Sequence, residues 1–79
     1  MPVASSPAPA IVSRAPVHDW DPAQYLVASD GAARWTQDPL AATAFASMRE
    51  AMRAALRLPA ALRAFGLPLQ AELAARQLH

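Results

Sequence analysis

Two local signals bracket one helix in this chain and leave it little freedom. Ser47-Met48-Arg49-Glu50 has the Ser-x-x-Glu form of a capping box, in which the serine hydroxyl accepts from the glutamate amide while the carboxylate reaches back. Pro59 closes the other end, because its ring has no N–H to donate and restricts the residue before it. A helix over 48–58, starting at Met48, is expected. On the 3.6-residue period Arg49, Glu50, Arg53 and Arg57 gather on one side, and Met48, Ala51, Met52, Ala55 and Leu58 on the other. The helix is amphipathic and about three turns long.

Upstream, residues 24–29 (QYLVAS) read as a strand that runs directly into Asp30-Gly31. Asp-Gly suits a tight hairpin turn, whose central residues need positive φ, and residues 32–36 return with Trp35 and Thr36. Gln37-Asp38-Pro39 ends this hairpin. Residues 40–46 are read as a turn followed by a short strand around Thr43 and Phe45, since a cap at Ser47 requires non-helical dihedrals there. Beyond Pro59, residues 60–64 resume a helical turn, Gly66 and Pro68 punctuate, and 69–78 form a terminal helix of little amphipathic character. Whether 59–79 is helix or strand stays open at this point. Residues 1–17 carry Pro2, Pro7, Pro9 and Pro16 among small side chains, show no period, and read as a disordered tail. The expected fold is α+β: a single domain over 18–79, with a hairpin and possible third strand packed on one amphipathic helix.

The chain has 79 residues, of which 21 are alanine, leaving 22 bulky apolar side chains and five aromatic rings. Gains from burying so few large groups nearly cancel the cost of ordering the backbone, and such domains are usually reinforced by disulfides, a metal or a partner. The absence of cysteine removes the first and every thiolate zinc site. Association with a protein partner or with itself is left.

Charge is nearly balanced, at +1, but unevenly placed. Residues 18–38 hold Asp19, Asp21, Asp30 and Asp38 against Arg34, whereas residues 39–79 hold five arginines against Glu50 and Glu72. The two parts attract. The overall balance argues against a dedicated nucleic-acid binder. Neither a secretory signal nor a membrane-length apolar run is found, so a cytoplasmic protein without membrane contact is expected. Arginine without lysine, beside much alanine and proline, fits a GC-rich bacterial or phage genome.

His18, Asp19 and Asp21 are the only local group with metal-ligand character, and the one other histidine is His79. No metal site or cofactor is expected. Catalysis by a nucleophile needs a base held by a third group, and no G-x-S-x-G, P-loop or H-E-x-x-H motif is present. A non-enzymatic protein is expected.

Tyr25-Leu26-Val27, a glycine turn, Trp35-Thr36-Gln37-Asp38, Ala42, Phe45, Ser47 and a helix with Glu50 and Ala51 follow in a recognisable order. Over residues 24–58 this resembles short uncharacterised bacterial and phage open reading frames with the pattern strand, turn, W-T-x-D, A-x-x-F-x-S, helix. The resemblance implies a small ββ(β)α unit and no particular activity. The residues themselves point to a protein–protein interaction module whose expected contact residues are Arg49, Arg53, Arg57 and Trp35. The arginines suit a carboxylate-rich surface, including the acidic hairpin of another copy; phosphates of a nucleic acid are the alternative.

Overall fold

A computed structural model of the chain describes residues 9–16, 18, 20–29 and 31–77. Its strands are β1 (Ala10–Arg14), β2 (Gln24–Ser29), β3 (Ala32–Thr36) and β4 (Phe65–Pro68). They form one antiparallel sheet in the order β3-β2-β1-β4. Two helices, α1 (Met48–Leu56) and α2 (Leu69–Gln77), complete an α+β fold, and a 3-10 turn at Ala60–Leu62 leads from α1 toward β4.

The hairpin forms where the sequence places it. Tyr25 faces Thr36, Leu26 faces Trp35, and the register closes at Ser29 and Ala32. Gly31 has φ of 78°, a left-handed value that glycine adopts without steric cost; Asp30 lies outside the described residues. The cap of α1 also forms, with Ser47 extended and its Oγ accepting from the Glu50 amide at 3.3 Å. The helix stops at Leu56, two residues short of expectation, because Leu58 precedes Pro59 and is held out of the helical ladder.

The short strand expected around Thr43 and Phe45 is reduced to a single antiparallel bridge at Phe45. Thr43 donates its amide to the Leu26 carbonyl, and its hydroxyl accepts from the Ala28 amide at 2.8 Å. Two residues on, Phe45 and Ala10 exchange amide–carbonyl bonds of 2.7 and 2.9 Å. The segment thus joins β2 to β1 where the two strands part beyond Ser13 and Tyr25.

The expected boundary at residue 18 is corrected by β1, which falls inside the segment read as a disordered tail and lies between β2 and β4. Pro9 and Pro16 flank this strand instead of interrupting it. Ile11 and Val12 are β-branched, and a strand buried on both faces reads as a short apolar run without alternation. The Leu69 amide also bonds to the Pro9 carbonyl, at 3.1 Å, so the folded unit begins at least there. Residues 1–8 of the expected tail lie outside the described residues. Of the open stretch 59–79, residues 60–77 hold the 3-10 turn, β4 and α2, and residues 78 and 79 lie outside the described residues.

The two sheet faces have different covers. Ala10, Val12 and Leu26 form a core with Ala51 and Ala55 of α1, and Trp35, Phe45 and Leu58 pack around it. Strand alternation sends Ile11 and Tyr25, both fully buried, to the other face. There the Tyr25 hydroxyl donates to the Glu72 carboxylate of α2. Helix α1 packs over β4 and β1, and Gly66 permits the approach. A Cβ at position 66 would lie 2.9 Å from the Met48 sulfur and 3.3 Å from the Ala51 Cβ.

Gly66→Ala is therefore expected to lower stability by about 1–3 kcal/mol in urea unfolding, since Ala51 is fixed to the helix backbone even if Met48 swings aside. Unchanged or higher stability would mean that α1 does not approach β4 so closely. Tyr25→Phe keeps the ring and removes the bond to Glu72, and should cost about 1.5 kcal/mol. In a cycle with Glu72→Gln, additive losses would show that the two side chains do not interact.

Candidate functional site

Because α1 sits over β1 and β4, its two flanks differ. Ala51 and Ala55 point at the sheet and are buried. On the β4 side Met48, Met52 and Leu56, spaced by four, are 38%, 44% and 82% exposed. This row runs along the helix as one ridge. Beside it lies β4, an outermost strand of the sheet. On the hairpin side α1 stops short of β2 and β3, which opens a cleft of about 360 Å³ whose lining includes Leu26, Ala28, Phe45, Ala54, Leu58 and Arg57. A smaller hollow of about 210 Å³ continues along the helix between Phe45, Glu50, Arg53, Ala54 and Arg57.

All three arginines expected to meet a partner are exposed. Arg57 borders both hollows, Arg53 borders the smaller one beside Glu50, and Arg49 borders neither. Trp35 stands apart from them. It is half-buried against the core, and the Arg14 guanidinium lies 5.3 Å from its ring centre, a cation–π contact. The exposed tryptophan is Trp20, at 79%, stacked on His18 with ring centres 4.6 Å apart. Leu56 was absent from the expected site although the helical period carries the signal, since it falls between Met52 and Arg49 on the wheel. Met48 and Met52, which the helical period places on the apolar side, lie at the margin of the core.

The His18 amide donates to the Asp21 carboxylate at 2.9 Å. Asp19 and His79 lie outside the described residues, and no group of three potential ligands occurs among those described. A hollow of about 270 Å³ is lined by Arg14, Ala15, Pro16, Asp21, Pro22 and Gln24; these offer one cation and one carboxylate, with no hydroxyl or imidazole between them. What the surface around α1 offers is apolar area edged by guanidinium groups. No helix among the described residues is long and apolar enough to cross a membrane. No protein-family model, curated protein or solved structure matches the chain.

Proposed function

We propose that this chain is a small protein–protein interaction module that works by contact rather than by catalysis, with α1 as its contact element. The observation that carries the reading is the outward row Met48, Met52 and Leu56, held on a rigid helix beside a sheet edge. Contiguous exposed apolar surface rimmed by charge is a mark of interaction sites. Methionine adapts its shape to a partner, and a helical ridge fits an apolar groove. Arg49 and Arg53, exposed on the outer side of the same helix, select a partner whose groove is bordered by carboxylates.

Leu56→Glu tests the reading, because the leucine lies outside the core and its replacement leaves the fold intact. Tagged wild-type and variant chains are to be recovered from the cells that make them, with thermal unfolding compared alongside. A protein retained by the wild type and depleted about tenfold or more with Leu56→Glu is the expected result. Equal retention on both would contradict it. Recovery of nucleic acid alone, released as salt rises, would move the function to Arg49, Arg53 and Arg57.

A further inference from the structure

We propose that the cleft between α1 and the hairpin receives Trp20 of a second copy of this chain, with Asp21 of that copy against Arg57. The cleft has an apolar floor, Leu26 and Ala28, and walls of Phe45, Ala54 and Leu58; among the described residues Arg57 is the one charged side chain that borders it. Small side chains on the floor and the helix leave room for one large ring. The group that fits is thus a flat apolar side chain followed by an anion.

The chain carries such a group in the connection between β1 and β2. Trp20 is 79% exposed and Asp21 follows it directly. The connection is closed by two bonds, the His18 amide to the Asp21 carboxylate at 2.9 Å and the Asp21 amide to the His18 carbonyl at 3.0 Å. Stacking on His18 holds the indole, so little freedom is lost when it docks. Tryptophan is also among the side chains that dominate binding energy at interfaces.

One molecule cannot satisfy both halves. Trp20 lies before the Gln24 end of β2, while the cleft reaches Ser29, Gly31 and Ala32 at the other end. Six residues of strand separate them by about 17 Å. Knob and socket are different surfaces, so copies join head to tail, or two copies seat both contacts at once and close a dimer. The contact uses the flank of α1 away from Leu56, so it stands or falls separately from the function proposed above.

The test is sedimentation velocity on the full chain from about 10 μM to 1 mM, a range that brackets weak self-affinities. The wild type should gain mass with concentration, whereas Trp20→Ala and Arg57→Glu should each remain monomeric. An equal mixture of the two variants should associate again, because one keeps the cleft and the other keeps the indole. Leu56→Glu should associate as the wild type does. A wild type that stays monomeric throughout, variants that associate like it, or a mixture that stays monomeric would each overturn the proposal. Should a variant fail to fold, acrylamide quenching of the wild-type chain decides: quenching that falls as concentration rises supports the contact, and constant quenching removes it.

Discussion

Strand β1 is the constraint on which the rest of this structure depends. It bonds to β4 along four residues on one edge, and on the other to β2 at Ser13 and Arg14 and to Phe45 through Ala10. Its side chains serve both faces, with Val12 and Ala10 under α1 and Ile11 toward α2. Without it the hairpin and β4 share no partner, and α1 loses its floor. A backbone placed this deep needs partners for its donors and acceptors, and β4 on one edge and β2 with Phe45 on the other supply them along the strand.

The thin core and the interactive surface have one cause. Alanines at 51 and 55 and the glycine at 66 let α1 lie close to the sheet, so the larger Met48, Met52 and Leu56 are displaced to its margin. The helix also sits toward β4, which leaves Ala28 of β2 exposed beyond the buried Leu26 and opens the cleft. Filling that cleft from within would need a bulkier residue at position 54 or 28. Alanine at both keeps it available to something from outside.

Short-range chemistry was legible in the residues, and long-range pairing was not. Ser47, Glu50 and Pro59 set the ends of α1 because capping and proline effects act within a few residues. Gly31 set the hairpin for the same reason. Strand β1 was hidden because prolines on both sides suggested a tail, and because its partners at β4 lie 52 to 58 residues away, beyond the reach of any local pattern. Phe65-Gly66-Leu67-Pro68 has one strong strand former, Phe65, beside a glycine and a proline that disfavour strands, and pairs along the edge that β1 supplies. At the candidate site the arginines were found from their spacing. The roles of Trp20 and Trp35 could not be separated by sequence, since both are flanked by polar residues and only the sheet register decides which one packs on the core.

The most direct test of this account is amide hydrogen exchange resolved by residue under native conditions. The amides of residues 10–14 should be among the slowest in the chain, at least as protected as the buried turns of α1, with openings that approach global unfolding. Exchange of these amides at the rate of an unstructured peptide, while the hairpin and α1 stay protected, would contradict it.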